Sequence, residues 1–236
     1  MSVTVDSFTS FAPDRDWSFP IWGAAISRCG FPISKAVFCD NTGKDSGDQI
    51  RVQIPGAFTP VGDRYPVRFD KLSGGLRSWH FANIWNKYIP KFTGDYVLSI
   101  EDDVLPEPGF LKRMVESLQD TKVGVVGLAV KCRHKSAHLM VYRCTSIDPF
   151  ILDRKNLVRE RSGKVEVDSV STSCCLFRRE FLDGFQFQSS PNEAPKGGWG
   201  HEWSLMKKIR KAGYKVLCDF DIKVWHYQSP TEFVQI

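Results

Sequence analysis

The sequence predicts an α/β fold in which one domain, residues 1–236, is built on a mixed central sheet flanked by helices. Three observations carry that reading. Short apolar runs with strand character alternate with helix-periodic segments through the first half of the chain. The 236 residues are 42% hydrophobic, 25% charged and 13% aromatic, enough apolar material for one core and unlike a disordered tail, a fibrous repeat or a disulfide-stapled miniprotein. Two acidic clusters also fall at strand ends, where open α/β sheets gather their ligands.

Taken in order, Val3–Val5 reads as a first short strand followed by a Pro- and Asp-bearing loop, and Trp17–Cys29 as a helix. Lys35–Cys39 is a second strand, closed by the polar run Asp40-Asn41-Thr42-Gly43-Lys44-Asp45-Ser46-Gly47-Asp48, which can only turn or loop. Gly74–Tyr88 has near-helical spacing and is stopped by Pro90 and Gly94. Tyr96–Ile100 is the clearest strand, with Glu101-Asp102-Asp103 directly at its end. Pro106 and Pro108 then introduce a helix from about Gly109 to Leu118, and Val123–Val130 is again strand-like.

The second half is less regular. A basic stretch, Lys131–His138, precedes strand candidates at Leu139–Cys144 and Ser173–Phe177. A Gly-rich loop at Lys196–Gly200 leads into an amphipathic helix from about Glu202 to Ala212, closed by Gly213. Lys215–Cys218 is a strand, and the apolar tail Ile222–Tyr227 carries His226.

Lys and Arg number 32 against 27 Asp and Glu, so the net charge of +5 allows an anionic ligand without requiring one. Seven cysteines with no Cys-x-x-Cys pair argue against a disulfide framework and a zinc knuckle, and fit a reducing compartment. No run approaches the roughly 18 apolar residues of a membrane span, and the chain is expected to be soluble and cytoplasmic. The sequence contains neither a Gly-x-Ser-x-Gly nucleophile turn nor a phosphate-binding Gly-x-x-x-x-Gly-Lys-Ser/Thr loop. His134 and His138 have one-turn helical spacing without the following Glu of a zinc protease, and sit among Lys131, Arg133 and Lys135 as a basic loop would.

Three consecutive carboxylates repel one another unless a cation or a web of donors occupies them. A hard divalent ion suits the position, since Mg²⁺ or Mn²⁺ is typically held by one or two carboxylates together with phosphate oxygens and water. Helix capping by Asp102 and Asp103 is the plainer alternative.

The strand and acidic run Tyr96-Val97-Leu98-Ser99-Ile100-Glu101-Asp102-Asp103, followed by Pro106 and Pro108, resemble the Asp-x-Asp-type signature of GT-A fold nucleotide-sugar glycosyltransferases, especially their family-2-like members. Cys39-Asp40-Asn41-Thr42-Gly43-Lys44-Asp45 is similar to that family's turn after its second strand. Ser173–Phe187 resembles a further strand and Gly-Phe segment. Gly198-Trp199-Gly200-His201-Glu202-Trp203 looks like its acceptor motif, and Val224-Trp225-His226-Tyr227 like a strand bearing a metal-ligating His. The landmarks occur in family order over nearly the whole chain.

The resemblance implies a single GT-A-like, Rossmann-like domain, with residues 1 to about 130 binding a nucleotide sugar and about 131 to 236 binding the acceptor. It implies a metal-dependent hexosyl- or N-acetylhexosaminyl-transferase using Mn²⁺ or Mg²⁺ and a nucleoside-diphosphate sugar, with UDP the default nucleotide. Thr9, Asp40, Arg77, Glu101 and Asp102 are the implied donor-nucleotide residues, Asp103 and His226 the implied metal ligands, and Trp199, Gly200, His201 and Trp203 the implied acceptor residues, with Trp199 and Trp203 read as exposed rings at the Gly-rich loop that stack on sugar or base. Lys71 is weighed with Arg77 as a phosphate or ribose contact against a solvated cation.

One departure from the family stands at Trp203, where inverting relatives place the acid that deprotonates the acceptor. Glu202 is left as the candidate base, with proton transfer of this kind contributing about 10²–10⁴-fold. The alternatives are that Glu202 only hydrogen-bonds the acceptor, that Asp168 or Glu193 is the base, that the reaction is retaining, or that the chain is catalytically silent. The acceptor is left as a glycan, a small molecule or a nucleic acid. A nucleic-acid-binding module is the competing class, given the basic clusters and seven Trp, although acids at 101–103 and 202 would repel phosphates.

Overall fold

Val5–Phe11 forms the first strand, β1, although only Val5, Phe8 and Phe11 of its seven residues are apolar. The sequence places a loop over most of this segment, because Asp6, Ser7, Thr9 and Ser10 break the apolar pattern. Asp6, Ser7 and Thr9 are nevertheless buried and Ser10 nearly so, and the polar atoms of Asp6 and Thr9 find partners. Asp6 Oδ2 accepts the backbone N–H groups of Thr93 at 2.7 Å and Gly94 at 2.9 Å, while Oδ1 accepts from the Ser34 hydroxyl at 2.6 Å. Burial of a polar side chain is costly only when such bonds are missing.

The computed structural model describes residues 3–12, 14–42, 46–53, 59–64, 74–132, 139–147, 150–152, 162–188 and 201–235. After β1 come α1 (Phe19–Ser27), β2 (Lys35–Asp40), α2 (Gly47–Arg51), β3 (Thr59–Arg64) and α3 (Gly74–Tyr88). β4 (Tyr96–Ile100), β5 (Val104–Pro106), α4 (Phe110–Ser117) and β6 (Val123–Leu128) follow. The second half holds β7 (Val141–Tyr142), β8 (Cys144–Ile147), β9 (Phe150–Leu152), β10 (Lys164–Val167), β11 (Ser169–Val170) and β12 (Cys174–Arg178). It ends with α5 (His201–Lys211), β13 (Lys215–Asp219), β14 (Val224–Tyr227) and β15 (Phe233–Gln235).

The central sheet has eight strands in the order β10-β13-β6-β12-β4-β1-β2-β3. β3, β2, β1 and β4 run parallel; β12 is antiparallel to both β4 and β6; β13 is parallel to β6, and β10 antiparallel to β13. The sheet is therefore mixed, as the sequence predicts. Chain order reverses between β1 and β4: β2 and β3 lie to one side of β1 and β4 to the other, which makes the carboxyl ends of these strands the expected crevice.

The two faces of the sheet feed two cores. Leu98 and Ile100 pack with Trp22 and Ile26 of α1 and with Phe110 and Met114 of α4. Val97, the alternate residue, packs with Trp85 of α3 and Leu205 and Met206 of α5. Gly30 and Gly109 close the first of these layers. Both have positive φ, +77° and +82°, and a Cβ on Gly30 would lie 2.7 Å from the Gly109 Cα. Gly109 is thus the cap before α4, not its first residue, because an L side chain is strained in that conformation.

Candidate active site

The Glu101–Asp103 turn is placed by β4 and held from both sides. Glu101 N–H donates to the Ser173 carbonyl at 2.8 Å, and Tyr227 N–H donates to the Asp103 carbonyl at 2.9 Å. β5 starts immediately after the turn and pairs antiparallel with β14 in a register that sets His226 opposite Val104. This short ladder, read from sequence only as a Pro-bearing helix approach, brings His226 to Asp103. The His226 ring is oriented by Nδ1–H, which donates to the Lys131 carbonyl at 2.8 Å. Its Nε2 is thereby turned to the acids, 3.4 Å from Asp103 Oδ1 and 3.6 Å from Glu101 Oε2.

One potential ligand atom from each of Glu101, Asp103 and His226 lies within 4.8 Å of the others. Asp103 is fully buried and His226 nearly so, whereas Glu101 is half-exposed and opens the cluster to solvent. Two carboxylates and an imidazole whose far nitrogen is fixed by a backbone carbonyl form a donor set suited to a divalent cation that keeps positions for other ligands. The resemblance implies Asp103 and His226 as ligands; the geometry sets the Glu101 carboxylate beside them.

Asp102 points elsewhere. Its Oδ2 accepts from Ala12 N–H at 3.1 Å and from the Ser18 hydroxyl at 2.9 Å, so it ties both ends of the turn between β1 and α1 to the acidic run. Arg15 lies in that turn and was not a candidate from the sequence. Its Nη1 is 2.6 Å from Asp103 Oδ2 and 3.4 Å from Asp102 Oδ1. A basic residue in a loop four positions before a helix carries no signal of this pairing.

Among the other donor-side candidates, Thr9 is buried and its Oγ1 accepts from Trp22 Nε1 at 2.7 Å, so the hydroxyl is used beneath α1. Asp40 is likewise buried. Its Oδ1 accepts from Thr42 N–H at 3.1 Å and the Thr42 hydroxyl at 2.7 Å, and its Oδ2 from Ser46 N–H at 2.9 Å, which shapes the turn after β2. Arg77 belongs to the first turns of α3, with its side chain outside the described residues, as Lys71 is altogether.

On the acceptor side, His201 and Glu202 open α5, and Trp199, Gly200 and Glu193 lie outside the described residues. His201 Nδ1 is 3.1 Å from Glu202 Oε2, its Nε2 is 3.4 Å from Thr172 Oγ1, and the ring stacks on Phe81 with centroids 5.4 Å apart. Both side chains keep limited exposure. Thr172 adjoins Ser173, the partner of Glu101, so the residues leading into β12 bring the two clusters to the same end of the sheet. Trp203 departs from the sequence reading of an exposed loop residue. It is 8% exposed on the inward face of α5 with Leu205, Met206 and Ile209, edge-on to Tyr142.

Asp168, an alternative base, accepts from Cys144 N–H at 2.8 Å and pairs with Arg210 at 3.1 Å. His134 and His138 lie outside the described residues. All seven cysteines are free thiols, and Cys174 and Cys175 are buried in β12 with their thiols pushed up by loss of solvent, as expected of packed side chains. Among the described residues no helix is long and apolar enough to cross a membrane.

The sheet thus carries acids at its strand-order reversal, with a convergent carboxylate–imidazole cluster there and a second carboxylate at the start of α5. Residues 76–236 match the family model described as glycosyltransferase like family 2, and the chain belongs to that family. It is a glycosyltransferase.

Solved structures agree on the fold. A197 from STIV superposes with a TM-score of 0.52 at 14% identity, over 97% of this chain and 87% of that one. The mannosyltransferase PcManGT from Pyrobaculum calidifontis, in complex with GDP-Man and Mn²⁺, gives 0.59 at 14% identity over 93% of this chain and 57% of its own. GalNAc-T7 with UDP, GalNAc and Mn²⁺ gives 0.60 at 12% identity over 96% and 44%. The chain thus spans about half the length of the latter two. No curated protein matches by sequence.

Proposed function

We propose that the protein moves a sugar from a nucleoside-diphosphate sugar to an acceptor hydroxyl with inversion at the anomeric carbon, using a divalent cation held by Glu101, Asp103 and His226. The observation that carries this reading is the convergence of those three side chains within 4.8 Å at the end of β4. Complexes of PcManGT and GalNAc-T7 containing Mn²⁺ and nucleotide or nucleotide sugar support it by analogy of fold. The mixed oxygen and nitrogen donors favour Mn²⁺ over Mg²⁺, whose preference is for oxygen alone.

When bound, such an ion supplies positive charge for the diphosphate that leaves. Asp103 and His226, buried and fixed by backbone bonds, would hold that ion at the end of β4. Glu202 takes the proton of the acceptor hydroxyl as its oxygen bonds the anomeric carbon and the bond to the diphosphate oxygen breaks. His201, 3.1 Å from Glu202 and stacked on Phe81, fixes that carboxylate. The glycan, small-molecule or nucleic-acid nature of the acceptor is open to a direct acceptor screen.

The test is a panel of UDP-, GDP- and other nucleotide sugars with Mn²⁺ or Mg²⁺, following nucleoside diphosphate release with and without chelator. Cation-dependent release by the wild type, lost in Asp103→Ala, is expected. Equal release by both would overturn the reading. Salt-sensitive nucleic-acid binding that survives Asp103→Ala, with no release from any donor, would favour the binding-module alternative.

A further inference from the structure

We infer that Arg15 is a donor-binding residue that grips the diphosphate while holding Asp103 in register; this rests on the proposed glycosyl transfer and names a further residue of its site. The two oxygens of Asp103 are divided between two environments. Oδ1 faces His226 Nε2 at 3.4 Å, inside the candidate cation cluster, and Oδ2 takes Arg15 Nη1 at 2.6 Å. An anion drawn to a cation at Oδ1 therefore arrives beside the guanidinium at Oδ2.

The guanidinium is built to meet it. Both bonds to Asp102 and Asp103 leave from Nη1, while a guanidinium has five N–H donors in a planar fork, so Nη2 and Nε have donors to present. The side chain is 21% exposed, unlike the two carboxylates it touches, which are essentially buried. It is thus anchored at one end of the fork and open at the other. Its backbone is fixed as well: the Arg15 carbonyl accepts from the Ser18 N–H and hydroxyl, each at 2.8 Å, and the same hydroxyl reaches Asp102 at 2.9 Å. Such prior ordering lowers the entropic cost of binding an anion.

Charge points the same way. Glu101, Asp102 and Asp103 bring three negative charges against one from Arg15. A divalent cation among Glu101, Asp103 and His226 offsets two of them, leaving Arg15 and Asp102 balanced. A doubly charged diphosphate then meets a pre-formed cationic fork rather than a bare carboxylate wall, and Arg with phosphate forms bidentate charge-assisted bonds.

The experiment is calorimetric binding of UDP, GDP and ADP, each with its monophosphate, at saturating Mn²⁺, to the wild-type chain and to Arg15→Gln and Arg15→Lys. For the diphosphate that the wild type binds most tightly, Arg15→Gln should weaken binding by about tenfold or more, with the monophosphate weakened about threefold or less. Arg15→Lys, which keeps charge without the fork, should fall between. Equal diphosphate affinity in Arg15→Gln and wild type would overturn the inference, as would equal losses for mono- and diphosphate, which mark a collapsed loop. Should Arg15→Gln fail to fold, Arg15→Lys decides alone, and wild-type diphosphate affinity in it would overturn the inference. A wild type that binds none of the nucleotides would overturn the functional reading and this inference with it.

Discussion

His226 Nε2 lies 3.4 Å from Asp103 Oδ1 because β14 pairs with β5 so that His226 stands opposite Val104, the residue after Asp103. Two segments far apart in sequence are joined at the carboxyl end of β4 by a three-residue ladder. A buried acid and an imidazole so placed form a site whose geometry depends on the C-terminal strand as much as on β4.

Asp102 and Asp103 should separate cleanly under mutation despite being neighbours. Asp102→Ala loses the acceptor for Ala12 N–H and the Ser18 hydroxyl, so it should destabilise the fold by about 1–3 kcal/mol while leaving Mn²⁺ affinity within a few-fold. Asp103→Asn should do the reverse for Mn²⁺, removing most binding. Urea unfolding and Mn²⁺ titration of the two variants check the pair.

Glu202→Gln should bind donor normally and transfer sugar about 10²–10⁴-fold more slowly. His201→Phe keeps an aromatic ring over Phe81 but removes Nδ1 from Glu202, so its turnover should fall less, with donor affinity unchanged. Single-turnover transfer and donor titration read the two effects separately. Unchanged transfer in Glu202→Gln would remove it as the base.

Gly30→Ala would place a Cβ 2.7 Å from the Gly109 Cα at a φ of +77°. Strain of this kind costs about 1–3 kcal/mol before the backbone moves. A lower thermal midpoint is expected, with loosened packing of α1 against α4 reported by faster amide exchange at Leu111, whose N–H donates to the Cys29 carbonyl.

Burial pushes the Cys39 thiol up to about 12, and the Cys174 and Cys175 thiols up as well. A raised thiol pKa keeps the neutral, unreactive form through neutral pH and beyond, with the thiolate gained only as pH climbs through the shifted value. Iodoacetamide at pH 8 should therefore modify the half-buried Cys132 and Cys144 first and spare these three until the chain is unfolded. Mass mapping of native and denatured samples checks the order.

The helix Gly74–Tyr88 and the strand Tyr96–Ile100 were legible in the sequence to the residue, because their apolar spacing is regular and Pro90 and Gly94 punctuate them. β1 was not, since Asp6 and Thr9 hide a buried strand behind side chains whose bonds come from Thr93, Gly94, Ser34 and Trp22. The acidic turn and His226 were read through resemblance to a family, and their approach depends on a short β5–β14 pairing with almost no local signal. Arg15 was invisible for the same reason: its role is set by two acids distant in sequence. Trp203 misled because a Trp beside a Gly-rich loop looks exposed, while the helix it belongs to turns it inward.

The central claim is that Glu101, Asp103 and His226 hold a divalent cation. The direct measurement is loss of the free Mn²⁺ electron paramagnetic resonance signal on titration with the chain, alone and with a nucleoside diphosphate. One Mn²⁺ per wild-type chain, bound more tightly with the diphosphate and lost in both Asp103→Asn and His226→Ala, is the predicted result. Unaltered Mn²⁺ binding in those two folded variants would contradict it.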